Sequence, residues 1–141
     1  MRKLTSESIF QMKLFQEITR VSCVDCFSIA SSLIFITKKG TTGRAIGPQG
    51  KNIKILRNKF KKNIKVFEES ANSVGLITNY LYPVKPKKCE EINKDSRQII
   101  EIEFSSSRER RFLLDNQQKG LKDLKEVLSR YHPNIKDIRI L

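Results

Sequence analysis

The 141-residue chain has no tryptophan, one histidine, three cysteines and no long apolar run. Without tryptophan, a core must rest on Ile, Leu, Val and Phe. The longest apolar stretches, such as Leu33 to Ile36, are far too short to cross a bilayer. The polar segment after Met1-Arg2-Lys3 lacks the apolar stretch of a signal peptide. A soluble cytoplasmic protein is therefore expected, with no membrane partner. Cys23, Cys26 and Cys89 are an odd number, which argues against a disulfide framework. Cys23-Val24-Asp25-Cys26 has a redox or zinc spacing. It falls in an expected strand, however, where residues i and i+3 point to opposite faces. His132 precedes Pro133 and reads as a helix stop, with no nucleophile nearby. The glycines lack a Walker Gly-Lys-Ser/Thr ending, and neither paired metal-binding carboxylates nor a nucleophile–base arrangement is present. No enzymatic activity is expected, and with it no catalytic residue, metal, cofactor or small-molecule substrate.

Acid is also scarce. The 28 Lys and Arg outnumber 15 Asp and Glu, for a net charge of +13 and a pI near 9.9. Such a surface calls for a polyanion, nucleic acid first and anionic membrane second. Residues 1–70 hold 14 cations and 5 acids, net +9; residues 71–141 hold 14 and 10, net +4. Between Cys26 and Phe67 there is no acid, while Lys38, Lys39, Arg44, Lys51, Lys54, Arg57, Lys59, Lys61, Lys62 and Lys65 all fall there. Apolar residues recur through this segment at regular spacing, so it reads as folded and not as a disordered arm.

The periodicity predicts a helix over 6–19, capped by Thr5 or Ser6, with Phe10, Leu14 and Ile18 as its apolar stripe and Phe15 beside it. Strands follow at 21–28 and 32–38, the second alternating, with a turn at Ala30-Ser31. A glycine-punctuated stretch with a short helix at 43–46 leads into a helix over 51–61, with Ile53, Leu56 and Phe60 on one face. A strand at 64–68 closes the half. An offset of 68 residues repeats this order, mapping Ile9, Ile34, Ile36, Ile46, Ile53, Leu56 and Phe60 onto Ile77, Ile102, Phe104, Leu114, Leu121, Leu124 and Leu128. After a three-residue insertion, Asn63-Ile64-Lys65 maps onto Asn134-Ile135-Lys136. Two related domains are expected, 1–71 and 72–141. Each is small for independent stability, so they are expected to pack together.

Gly47-Pro48-Gln49-Gly50 joins the short apolar segment Ala45-Ile46 to an amphipathic helix. Glycines permit backbone angles closed to other residues and let a sugar-phosphate backbone approach the main chain. The following helix directs its free N–H groups and positive dipole end to the same place. Lys51 and Lys54 lie a turn apart and can flank a phosphate path, as can Arg44. Gln49 can donate or accept at the tip. A Gly-Pro turn before a helix is often purely structural. Here the flanking residues and the acid-free basic segment speak for function.

The run Ala45-Ile46-Gly47-Pro48-Gln49-Gly50-Lys51-Asn52-Ile53-Lys54 resembles the signature of KH domains, whose Gly-x-x-Gly loop clamps single-stranded nucleic acid. The element order resembles the type II variant. The whole chain is similar to the archaeal NusA-like proteins, a paired KH module. The resemblance implies an α+β fold of two tandem type II KH-like units, each α-β-β-α-α-β. It also implies single-stranded RNA as ligand, RNA polymerase or an elongation complex as partner, and a role in transcription termination or antitermination. The RNA-binding residues it implies are Arg44, Ile46, Gly47, Pro48, Gln49, Gly50, Lys51 and Lys54, with Ile46 and Ile53 as candidates for the floor of a base-binding groove.

The second unit departs from the pattern. The offset places Asp115-Asn116-Gln117-Gln118 where the glycines belong. The acid opposes a phosphate, and without glycines close backbone approach is expected to be lost. That unit is expected to be structural, to bind a protein, or to add side-chain contacts from Arg108, Arg110, Arg111 and Lys119. Two alternatives stay open: a ribosome-associated KH protein, and a protein-docking scaffold that touches RNA incidentally.

Overall fold

The computed structural model describes residues 5–30 and 32–141. The chain forms two compact units divided between Glu69 and Ser70. The first contains α1 (Ser6–Thr19), β1 (Cys23–Ile29), β2 (Ser32–Thr37), α2 (Thr42–Ile46), a 3-10 turn (Pro48–Gly50), α3 (Lys51–Phe60) and β3 (Asn63–Glu68). The second contains α4 (Ser73–Leu81), β4 (Lys88–Lys94), β5 (Arg97–Glu103), α5 (Ser107–Tyr131) and β6 (Ile135–Ile140). Each unit holds one three-stranded sheet, β1-β2-β3 and β4-β5-β6. In both, the first pair is antiparallel and the second parallel. The α+β class expected from the sequence is what the chain adopts. Among the described residues no helix is long and apolar enough to cross a membrane.

In the first unit, helices cover one sheet face around Phe15, Val21, Cys26, Leu33, Phe35, Ala45 and Leu56, with Ile53 and Phe60 packed against them. Phe15 and Phe35 stack with ring centroids 4.4 Å apart. Such a pair is worth about 0.5–1.5 kcal/mol beyond its buried area. Phe27, Ile29, Ile34, Ile36 and Phe67 are buried as well. β2 is buried almost end to end. Its burial does not alternate as expected: five successive residues, Leu33 to Thr37, are buried.

The expected stripe of α1 is corrected in part: Phe15 lies in the core and Ile18 packs against it, but Phe10 does not join them. The helix's buried residues are Ser8, Gln11, Phe15 and Thr19, while Phe10 is 64% exposed and Leu14 half-buried. The polar members are satisfied locally. Ser8 completes a capping box with Thr5, Thr19 Oγ1 donates to the Phe15 carbonyl at 2.8 Å, and Gln11 Oε1 accepts from the Cys26 thiol at 3.4 Å. A hydrogen-bonded polar side chain can be buried at little cost. The expected turn at Ala30-Ser31 agrees with a left-handed Ala30 (φ 51°); Ser31 lies outside the described residues.

A bulge corrects the reading of the cysteine pair. Register shifts between Cys23 and Asp25, so the alternation is interrupted and both Cys23 and Cys26 pack on the helix-covered core. Cys23, Cys26 and Cys89 are all free thiols. Burial pushes Cys23 up to about 12 and Cys89 up to about 11. A thiol held protonated is a poor nucleophile. At pH 8 we expect iodoacetamide to label native Cys23 and Cys89 at least about a hundredfold more slowly than in denaturant, read by peptide mapping. Equal rates in the two states would contradict their burial.

The repeat is real in element order but not at one offset. The loop keeps the offset of 68 (47 to 115), whereas β1 and β2 start 65 residues before their counterparts (23 to 88, 32 to 97) and β3 starts 72 before (63 to 135). Matching Ile34 with Ile102 and Ile36 with Phe104 is therefore out of register, and Phe104 lies beyond the end of β5. Helices tolerated the single offset; strands, with a period of two, did not.

Candidate nucleic-acid interface

Two anchors hold the glycine loop out from the first unit. Ala45 in α2 and Leu56 in α3 are both fully buried, while Pro48 and Gln49 between them are exposed. The start of α2 is tied to β2 by the Thr37 and Thr42 hydroxyls, 2.6 Å apart. The loop leading into it is held by the Gly40 N–H, which donates to Glu68 at 2.7 Å. Gly47 ends α2 by donating to the Gly43 carbonyl, and the Gly50 N–H closes the turn onto the Gly47 carbonyl, both at 3.1 Å.

The two glycines do different work. Gly47 sits at φ 79°, ψ 167°, a region essentially closed to other residues. A Cβ there would also approach Asn52 Nδ2 to 3.0 Å. Gly50 is left-handed at φ 71°, ψ 23°, and a Cβ there would meet nothing within 4 Å. Gln49 is left-handed as well, at φ 56°. Gly47 is thus needed for the shape of the loop, whereas Gly50 leaves open space at its mouth.

That mouth is the N-terminus of α3. The starts of α1, α4 and α5 are capped by the side chains of Thr5, Asn72 and Ser106. Among the described residues no side chain caps α3, and its first turn carries no acid. Arg44, Lys51 and Lys54 are exposed around it, and no ion pair among the described residues engages them. The second unit differs: Lys119–Asp123, Lys125–Asp137 and Arg139–Glu101 are among its pairs. Burial of Lys65 in β3 lowers its pKa from the ordinary lysine value.

All eight candidates lie on this one continuous α2–turn–α3 feature. Ile46 and Ile53 separate, however. Ile53 packs against the core, while Ile46 is half-buried at the end of α2 outside that cluster. Ile55, one turn past Lys51 and 41% exposed, is an apolar neighbour that sequence reasoning missed. Its signal was available: it falls off the Ile53–Leu56–Phe60 face.

The counterpart loop interrupts α5 at Asp115–Gln118. Asp115 (φ −69°, ψ 164°) shares ψ with Gly47 (79°, 167°) but not φ. Gln117 (60°, 36°) and Gln118 (64°, 32°) follow the angles of Gln49 (56°, 28°) and Gly50 (71°, 23°). Asn116 is left-handed too. Without glycines the second half of the turn keeps the first loop's angles, while its first residue, Asp115, takes another path. Three successive non-glycine residues hold that turn, at about 1–2 kcal/mol each. The loop differs in carrying side chains and an acid on its backbone, at a place where the first loop is bare.

An α-β-β-α-α-β unit with a Gly-x-x-Gly turn opening onto an uncapped, acid-free helix start defines a KH-type nucleic-acid-binding fold. Residues 10–106 match the KH domain family, and the chain belongs to it. It is similar to the "Probable transcription termination protein NusA" of Methanocaldococcus jannaschii, with 29% identity over 99% of this chain and 75% of that protein. The protein of the same name from Methanococcus vannielii is 26% identical over 99% of this chain and 79% of its own length. The crystal structure of APE1850 superposes with a TM-score of 0.78 at 28% identity, covering 98% of this chain and all of that one.

Proposed function

We propose that the chain is a single-stranded RNA-binding protein of two KH-like units, in which the Gly47–Gly50 loop grips the phosphate backbone. The observation that carries this is the N-terminus of α3, which among the described residues has no side-chain cap, carries no acid in its first turn, and lies between Arg44, Lys51 and Lys54 with no ion pair engaging them. Backbone N–H groups at a helix start and flanking cations are what a phosphate needs. Gln49 reaches the sugar-phosphate chain from the tip, Pro48 stiffens the turn, and Ile46 offers an apolar contact to a base. The second unit, whose loop carries Asp115, supports this grip without repeating it.

The relatives named for transcription termination support a role in transcription. RNA polymerase or an elongation complex, in the cytoplasm, is the protein partner of this reading. Binding should be dominated by phosphate contacts. For about four backbone contacts, log affinity for an unstructured RNA falls with log salt at a slope near −3. Fluorescence anisotropy of a labelled oligoribonucleotide across a salt series measures it. A slope near zero would remove the phosphate clamp from the account. Co-purification with ribosomal subunits in place of polymerase would move the role to the ribosome.

A further inference from the structure

A second feature of the surface is unused by the glycine loop. In the second unit, the connection from α4 to β4 lines an open cavity of about 400 Å3. Val74, Thr78 and Tyr82 succeed one another along α4 and its C-terminal cap, and Val84 and Cys89 also line it. Tyr82 is 65% exposed although it borders an apolar cavity. Lys85, Lys87 and Lys88 line the same space. Lys87 and Lys88 face Glu103 and Glu90 at 3.7 and 3.2 Å, but these pairs are solvent-exposed and so contribute little. Among the described residues no ion pair engages Lys85. None of these residues belongs to the Gly47–Gly50 loop or to its counterpart at Asp115–Gln118.

We infer that this cavity is a further contact for single-stranded RNA: one unstacked base lies on the Tyr82 ring over Val74 and Val84, and Lys85, Lys87 and Lys88 take the flanking phosphates. Every base offers a π-face to an exposed ring, and cations beside it follow the backbone. The volume is at the scale of a small-ligand pocket and suits a single nucleotide. The three cations disfavour an apolar occupant, and the exposed aromatic face beside them favours a base with its two phosphates over an acidic peptide. The inference rests on the chain being an RNA binder and adds a second grip, on the unit whose own loop has lost its glycines.

The test uses the full chain and a single-stranded RNA carrying 5-iodouridine. Irradiation and peptide mapping should find an adduct at Tyr82. Tyr82→Ala should weaken binding about tenfold with an unchanged salt slope, while Tyr82→Phe stays within twofold of wild type, since stacking needs the ring and not the hydroxyl. Lys85→Glu with Lys88→Glu should weaken binding and flatten the salt slope by roughly one to two. Tyr82 is exposed, so these variants keep their fold, which circular dichroism checks. Wild-type protein that binds RNA through Gly50, with Tyr82→Ala unaffected or no adduct between residues 82 and 89, overturns this contact alone. So does an acidic peptide that occupies the cavity without displacing RNA. Wild-type protein that binds no RNA removes the broader reading as well.

Discussion

Gly50→Asp is expected to lower affinity for single-stranded RNA at least about a hundredfold while leaving the protein folded. The fold survives for three reasons. A Cβ at position 50 meets nothing within 4 Å. The left-handed conformation, φ 71° and ψ 23°, is one that Asp and Asn adopt most readily among residues with side chains. A carboxylate at a helix N-terminus also complements the dipole, offsetting part of the roughly 1–2 kcal/mol of backbone strain. Binding does not survive, because the same carboxylate occupies the N–H groups of α3 and stands in the phosphate path. Two unit charges about 4 Å apart near a protein surface repel by roughly 4 kcal/mol, more than the hundredfold requires. Gly50→Asn has the same shape without the charge and should lose far less. A folded Gly50→Asp protein that binds like wild type would sink the clamp. Gly47 is the wrong position for this experiment, since its backbone angles and its approach to Asn52 mean that any side chain deforms the loop.

The asymmetry between the two glycines explains why the loop was legible in the sequence. Gly47 and Gly50 stand where the backbone adopts angles other residues avoid, so the sequence writes the turn explicitly. The Asp115–Gln118 turn was illegible for the converse reason. Asn116, Gln117 and Gln118 all hold left-handed angles, and of the three only asparagine favours them. Element boundaries in the first unit were readable to within two residues, because Thr5, Gly47 and Lys61 lie at real helix ends. The face of α1 was readable only in part, at Phe15 and Ile18. Hydrophobic periodicity selects Phe10, whereas burial went to Ser8, Gln11 and Thr19 once their hydrogen bonds were supplied by neighbours. The bulge that turns Cys23 and Cys26 to one face depends on the partner strand, and a single strand's sequence does not contain it.

Gly120 should reverse the usual effect of replacing a helical glycine. Gly→Ala in a helix ordinarily stabilises by up to about 1 kcal/mol, because alanine has less backbone freedom to lose. In α5 the chain folds back at Asp115–Gln118, and Gly120 lies against the preceding segment. A Cβ there would stand 2.8 Å from the Phe112 carbonyl oxygen and 3.1 Å from Leu113 Cα. Both are main-chain atoms, so no rotamer change relieves the clash, and the two halves of α5 must separate. Leu113, Leu121 and Leu124 are buried on either side of the break, so separation opens packed surface. Overpacking of this kind costs about 1–3 kcal/mol, and more for a branched side chain. We expect Gly120→Ala to destabilise by about 1 kcal/mol net and Gly120→Val by about 3 kcal/mol, measured by urea unfolding. Gly43, in α2, is the control. Nothing lies within 4 Å of its added Cβ, and Gly43→Ala should stabilise. If Gly120→Ala raises stability as Gly43→Ala does, the two halves of α5 are not in close contact. Gly120 would then owe nothing to the fold-back that keeps the Asp115–Gln118 loop in shape.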